Sequence, residues 1–143
     1  MVTVDANVFV SARVRPEINH AASDLFLNRI VQRAIEVRCP TLVLPETAAA
    51  IFRPGGTIAL ARAAVLQIEM FPSLSLVELT EDRARQSVEV ALTCRLRGAD
   101  AVYVAVAQEF GTTLVTWDAE VLARGTGAAS VLSPTGWLAA NPV

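Results

Sequence analysis

The chain alternates between two patterns of apolar positions, one typical of strands and the other typical of amphipathic helices. Short apolar runs predict five strands, at Val2–Val4, Thr41–Leu44, Leu74–Leu79, Thr113–Thr116 and Ala129–Leu132. Helical spacing and start signals predict helices at Ala21–Arg38, Pro45–Phe52, Thr57–Met70, after the capping residue Thr80, and at Ala99–Phe110, Asp118–Ala123 and Pro134–Ala139. Asp5–Asn7 is expected to form a turn, and a loop containing Pro16 follows it.

The regular alternation of strands and helices predicts the fold class. It is typical of an α/β protein in which helices connect parallel strands. We therefore expect a three-layer α/β/α sandwich around a short parallel sheet. The chain has 143 residues, close to the size of one domain, and shows no repeat or linker, so residues 1–143 are expected to form a single domain.

Composition and charge narrow the classes of function. Hydrophobic residues make up 53% of the chain and charged residues 18%, which is typical of a globular protein. All 12 basic residues are arginine, so sites that need a lysine, such as a Walker A loop or a Schiff base, are excluded. The formal charge of -2 argues against nonspecific coating of nucleic acid but leaves a local arginine patch open.

Three further features indicate whether the chain binds zinc and in which cellular compartment it works: the cysteines, the histidine and the terminal segments. Cys39, Cys94 and His20 have no zinc-site spacing. The N-terminus lacks the pattern of a secretory signal, and the uncharged stretch 125–143 contains too much proline and glycine for a membrane span. We expect a cytoplasmic, reduced protein without a membrane segment.

Four acidic residues stand where an α/β protein places ligands. Asp5 and Asp118 follow predicted strands, Glu46 follows the strand Thr41–Leu44 by one residue, and Asp100 opens a buried helix. Ligands of open parallel sheets bind outside the carboxyl ends of the strands, so all four acids can face one pocket. Taken singly, each acid also has a structural explanation, because acids favour turns and the first turns of helices.

Several carboxylates in one pocket would repel one another unless a cation neutralised them. Mg²⁺ and Mn²⁺ prefer oxygen ligands and commonly bind a few carboxylates together with water and phosphate oxygens. The chemistry that follows is hydrolysis of a phosphodiester bond by a metal-activated water.

Three stretches of sequence carry a resemblance to a known family. They are Val2–Asn7, Leu44-Pro45-Glu46 with the alanine-rich segment up to Arg53, and the run from Arg97-Gly98-Ala99-Asp100 to Thr116-Trp117-Asp118. In this order and at these distances the chain resembles the PIN-domain nucleases, and in particular the toxin ribonucleases of the VapC type. The resemblance covers nearly the whole chain.

The resemblance implies a PIN-like fold and a Mg²⁺- or Mn²⁺-dependent endoribonuclease that cleaves single-stranded RNA. It assigns metal binding and catalysis to Asp5, Glu46, Asp100 and Asp118. Asn7 and Thr116 would support these ligands, although either could equally be an ordinary turn or strand residue. The resemblance further implies a homodimer and, for a toxin, an antitoxin protein whose C-terminal segment occupies the groove.

Arginines close to the acids in sequence are candidates for binding RNA phosphates, since such contacts commonly come from arginine. They are Arg13, Arg15, Arg53 and Arg97, and each could instead form a weak surface ion pair. Two other functions stay open: a catalytically inactive PIN-like module that binds RNA or protein, and a phosphatase with Asp5 as nucleophile. The phosphatase fits less well because position 7 is Asn rather than Asp and the chain has no lysine.

Overall fold

Five strands form one parallel sheet in the computed structural model, which describes residues 1–14 and 17–142. The strands are β1 (Val2–Val4), β2 (Val37–Pro40), β3 (Leu74–Val77), β4 (Thr113–Val115) and β5 (Ser130–Leu132). They lie in the order β3-β2-β1-β4-β5, and every neighbouring pair is parallel. The winding direction reverses between β1 and β4, which makes this pair the switch point of the sheet.

Helices of the described residues flank the sheet and confirm the predicted α/β/α class. They are α1 (Ala6–Ser11), α2 (His20–Gln32), α3 (Val43–Phe52), α4 (Ile58–Glu69), α5 (Glu81–Cys94), α6 (Gly98–Phe110), α7 (Ala119–Arg124) and α8 (Pro134–Ala140). Residues 125–127 add a 3₁₀ turn. Within the described ranges, no helix combines the length and apolarity needed to cross a membrane.

The core is centred on α6, which contacts the three middle strands β2, β1 and β4. Its seven consecutive residues 101–107 are all buried, as the run of small apolar side chains predicts. The helix ends at Phe110 and is capped by Gly111, whose φ of 60° is the left-handed conformation that glycine adopts without strain. α6 therefore presents Asp100, in its first turn, at a fixed place beside the sheet.

In the structure, the predicted turn at Asp5–Asn7 is the start of a helix. The side chain of Asp5 accepts a hydrogen bond from the backbone N–H of Asn7, and the helix α1 begins directly after it. Val8 and Phe9 of this helix are fully buried. Their burial stabilises a helix that the weak helix propensity of valine and phenylalanine does not predict.

The structure also corrects the boundary between the first long helix and the second strand. The helix ends at Gln32 rather than Arg38, and the strand is Val37–Pro40 rather than Thr41–Leu44. Apolar residues continue at helical spacing past the true end, so the pattern alone does not show it. Because α3 begins at Val43, Glu46 lies in the first turn of that helix and not one residue after a strand.

Most other predicted elements agree with the structure to within a few residues. Thr57 and Thr80 cap α4 and α5, accepting hydrogen bonds from the N–H groups of Leu60 and Arg83. The predicted loop containing Pro16 includes positions outside the described residues.

Candidate active site

The four acids singled out in the sequence line one open cavity of about 740 Å³ at the carboxyl edge of the sheet. Asp5 follows β1, Glu46 lies in α3, Asp100 lies in α6 and Asp118 precedes α7. The polar and charged residues around the cavity are Asp5, Asn7, Glu17, Glu46, Arg53, Arg97, Asp100 and Asp118. Five carboxylates thus face two guanidinium groups, so the cavity is acidic.

Asp5 is the most buried of these acids, with 7% of its surface exposed. Its Oδ2 accepts hydrogen bonds from the hydroxyl of Thr116 at 2.7 Å and from the amide of Asn7 at 3.0 Å. Its Oδ1 accepts a third hydrogen bond from the backbone N–H of Asn7. These three bonds fix the orientation of the carboxylate at the end of β1.

Burial raises the pKa of Asp5 from its ordinary value of 3.8 to about 6. The hydrogen bonds from Thr116 and Asn7 lower the pKa, and the charges of Glu46 and Asp100 raise it by smaller amounts. Desolvation therefore outweighs the mutual repulsion of the acids. A cation beside Asp5 would favour the ionised form.

Asn7 and Thr116 connect the ends of β1 and β4. The side-chain amide of Asn7 donates to the hydroxyl of Thr116, and the backbone N–H of Trp117 donates to the Asn7 carbonyl. The same Thr116 hydroxyl accepts the backbone N–H of Asp118. The network links Asp5 to Asp118 through the neutral side chains of Asn7 and Thr116.

Glu46 reaches the cavity from α3 and is held by Tyr103. The phenolic hydroxyl of Tyr103 donates to Glu46 Oε2 at 2.7 Å, and the tyrosine is only 1% exposed. Burial raises the pKa of Glu46, and the hydrogen bond from Tyr103 opposes that rise. Burial beside the acids also raises the pKa of Tyr103, so the hydroxyl stays protonated and donates.

Arg97 joins the two remaining acids. Its Nε donates to Asp100 Oδ2 at 2.9 Å, and its Nη2 donates to Asp118 Oδ2 at 2.8 Å. Burial raises the pKa of Asp100, whereas the bond and the charge of Arg97 lower it. One guanidinium thus neutralises part of the charge that two carboxylates bring to the cavity.

Two of the four acids also cap a helix. Asp118 caps α7, since its Oδ1 accepts the N–H groups of Glu120 and Val121, and Asp5 caps α1. Each keeps a second oxygen bonded within the site. Asp100 caps nothing, because the N-cap of α6 is Arg97. Capping and a place at the cavity are therefore compatible.

Sequence reasoning missed two residues of the cavity region. Tyr103 follows Asp100 by one helical turn, so the spacing placed both on one face of the helix. Its partner Glu46 lies on another helix and could not be inferred. Glu17 lines the cavity from the segment before α2, where the sequence carries no signal.

The arginine candidates differ in where the structure places them. Arg53 and Arg97 line the acidic cavity, whereas Arg13 lines an adjoining groove between α1 and α4. Burial lowers the pKa of Arg13. Arg15 lies outside the described residues.

The chemistry of the donors fits a hard divalent cation, because carboxylate oxygens are the ligands that Mg²⁺ and Mn²⁺ prefer. The arrangement of the side chains differs from that of a formed metal centre. Within residues 1–14 and 17–142, no three Asp, Glu, His or Cys side chains are arranged so that they could hold one ion. Arg97 lies between two of the acids and Tyr103 holds a third, so a shared cation requires these side chains to rearrange.

A family model of the PIN domain matches residues 2–126. The chain belongs to the PIN domain family. The matched range includes the four acids with Asn7, Tyr103 and Thr116, and it confirms the resemblance that the sequence motifs indicate. No curated protein sequence matched the chain.

Solved structures of low sequence identity share the fold of this PIN domain. The sarcin-ricin loop cleaving toxin VapC20 of Mycobacterium tuberculosis has a TM-score of 0.70 at 20% identity, over 86% of this chain and 94% of that one. VapBC2 from Rickettsia felis, bound to a promoter DNA fragment, has a TM-score of 0.70 at 13% identity, over 93% and 98%. A toxin–antitoxin complex from Klebsiella pneumoniae has a TM-score of 0.58 at 18% identity, over 94% and 98%.

Proposed function

We propose that this PIN domain is a metal-dependent endoribonuclease that hydrolyses phosphodiester bonds of single-stranded RNA, as the toxin of a toxin–antitoxin pair. The observation that carries the proposal is the set of acids, contributed by four separate elements, around one cavity at the switch point of the sheet. Membership of the PIN domain family supports the same reaction class.

In this proposal, Asp5, Glu46, Asp100 and Asp118 would hold Mg²⁺ or Mn²⁺ once their side chains have rearranged around the ion. When bound, the cation would lower the pKa of a water molecule and neutralise charge on the phosphate. The chain itself supplies orientation, because Thr116 and Asn7 fix Asp5 while Tyr103 fixes Glu46.

RNA would approach through the arginines of the cavity wall. Arg53 and Arg97 are the candidates for phosphate contacts within the cavity, and Arg13 is a candidate in the adjoining groove. The acidic cavity repels a bare phosphate backbone, so RNA binding would depend on the cation and on these arginines together.

We propose that the partner of the toxin is an antitoxin protein, which covers an apolar surface beside the cavity. Phe52, Ile58 and Leu66 expose apolar surface along α3 and α4, in a groove that adjoins the acidic cavity at Ala49. The solved neighbours include a toxin–antitoxin complex, which supports a partner of this kind. A homodimer of the PIN domain is part of the same proposal.

The experiment incubates the purified protein with a labelled pool of single-stranded RNAs of random sequence. We expect cleavage with Mn²⁺ or Mg²⁺ and none with EDTA. The products should carry a 5′-phosphate and a 3′-hydroxyl, because the water oxygen forms a new bond to phosphorus while the bond between phosphorus and the 3′-oxygen breaks. End-group analysis by phosphatase and ligase treatment distinguishes these ends.

Two outcomes would contradict the proposal in different ways. Products that end in a 2′,3′-cyclic phosphate would show attack by the ribose hydroxyl instead of water. RNA binding without cleavage under all metal conditions would identify the inactive binding module.

A further inference from the structure

The guanidinium of Arg97 joins Asp100 and Asp118, two of the acids proposed to hold the cation. Two different nitrogens of its guanidinium contact one oxygen of each carboxylate, at 2.9 and 2.8 Å. The two acids are 18 positions apart in sequence and come from the first turn of α6 and the cap of α7. A planar guanidinium can donate to two such carboxylates through different nitrogens. The ammonium group of a lysine has only one nitrogen and fits the two carboxylates less well.

Exposure makes this contact easy to exchange. The Arg97 side chain is 69% exposed, whereas Asp100 and Asp118 are 14% and 20% exposed. Exposed ion pairs contribute little to stability, so the arginine can leave at small cost. The carboxylates are more buried and remain in place when it leaves. A divalent cation brings twice the charge to the same oxygens.

We infer that Arg97 is an internal counter-ion that competes with a divalent cation for Asp100 and Asp118. Binding of the cation releases the guanidinium into the cavity, where it is free to contact an RNA phosphate. This inference rests on the proposed function for the cation and the RNA. Metal binding and phosphate binding are then linked, and each favours the other.

The test measures the Kd of Mn²⁺ by calorimetry for wild type, Arg97→Gln, Arg97→Lys and Arg53→Gln, without RNA. Arg53 is the matched control, because it lines the same cavity and forms no ion pair with any described carboxylate. Removing the competitor should tighten Mn²⁺ binding by about fivefold or more in Arg97→Gln. Arg53→Gln should change the Kd less, and Arg97→Lys should lie between the two.

A second arm melts the same proteins in EDTA. Arg97→Gln should melt slightly below Arg53→Gln, because Asp100 and Asp118 lose the guanidinium that partly neutralises their charges. This arm needs neither metal nor RNA, so it tests the counter-ion even if the proposed function fails.

The outcomes separate the inference from the proposed function. Weaker Mn²⁺ binding by Arg97→Gln, or a Kd equal to that of Arg53→Gln, would overturn the inference while metal-dependent cleavage by wild type still stood. A melting temperature of Arg97→Gln above that of Arg53→Gln in EDTA would overturn it as well. Failure of every variant to bind Mn²⁺ would overturn the competition together with the metal part of the proposed function.

Discussion

Asp5 combines a helix cap with a place at the acidic cavity. Its carboxylate caps α1 through one oxygen and accepts two side-chain hydrogen bonds through the other. An acid is favoured at the start of a helix because it can cap the helix, and an acid at the end of a parallel strand can bind a ligand, so both roles place an acid here. The tertiary partner Thr116, 111 positions away, adds a contact that capping alone does not require.

The contact between Tyr103 and Glu46 gives a prediction at the scale of one residue. Tyr103→Phe removes the hydroxyl that orients Glu46 and stabilises its ionised form. We expect cleavage to fall by about 10- to 100-fold, as is common when a group supporting a metal ligand is lost. The ring remains buried, so stability should fall by only about 1 kcal/mol. Cleavage kinetics and urea unfolding measure the two effects.

Glu46→Gln provides the control for this prediction. If Tyr103 acts through Glu46, adding Tyr103→Phe to Glu46→Gln should cause little further loss of cleavage. A full additional loss in the double variant would show that the tyrosine hydroxyl has another role.

The sequence placed the acids at one edge of the sheet but indicated only some of the groups that hold them. Asp5, Asp100 and Asp118 lie next to recognisable strand and helix ends, so their common edge could be predicted. Glu46 reached the cavity although its strand was misplaced, because the helix that carries it was identified. The roles of Tyr103 and Arg97 depend on contacts between elements, which no local pattern reveals.

At the scale of elements, the misplaced boundary between α2 and β2 has a specific cause. Ala34 adopts a φ of 49°, a left-handed conformation that is unfavourable for alanine. An alanine in the sequence therefore does not indicate such a turn. A glycine there would have indicated the end of the helix. Burial of Val37 and Cys39 in the following strand stabilises this turn.

The strained turn predicts whether a glycine at position 34 raises or lowers the stability of the protein. Ala34→Gly should leave stability unchanged or raise it by up to about 1 kcal/mol, because relief of strain offsets the larger backbone entropy of glycine. Ala63→Gly, on the exposed face of α4, should lower stability by about 1 kcal/mol. Urea unfolding compares the two. Equal losses in both variants would show that Ala34 is not strained.

At the scale of the whole molecule, the acidic cavity should make stability depend on pH. Burial raises the pKa of Asp5, Glu46 and Asp100 in the folded state. A carboxyl group with a raised folded pKa binds its proton more tightly when folded, so the folded state loses stability as the pH rises. For Asp5 the loss develops between its ordinary pKa of 3.8 and about 6.

We therefore expect the unfolding free energy in EDTA to fall from pH 5 to pH 7. Asp5 alone should contribute roughly 1 kcal/mol of this fall. Asp5→Asn should flatten the profile, and Asp82→Asn, an exposed acid of α5, should not. Glu109 acts in the opposite sense, but its lowered pKa confines that effect to a pH below 4.5. A free energy that rises from pH 5 to pH 7 would contradict the electrostatic account of the cavity.

The central claim is that the acids at the switch point form the active site of a metal-dependent ribonuclease. Asp100→Asn tests it most directly, because Asp100 lines the cavity but caps no helix. Asp82→Asn is the matched control, since Asp82 lies in the first turn of α5 and is exposed. With Mn²⁺ and single-stranded RNA, we predict that Asp100→Asn lowers the cleavage rate by orders of magnitude while Asp82→Asn leaves it unchanged. A folded Asp100→Asn protein that cleaves at nearly the wild-type rate would contradict the claim.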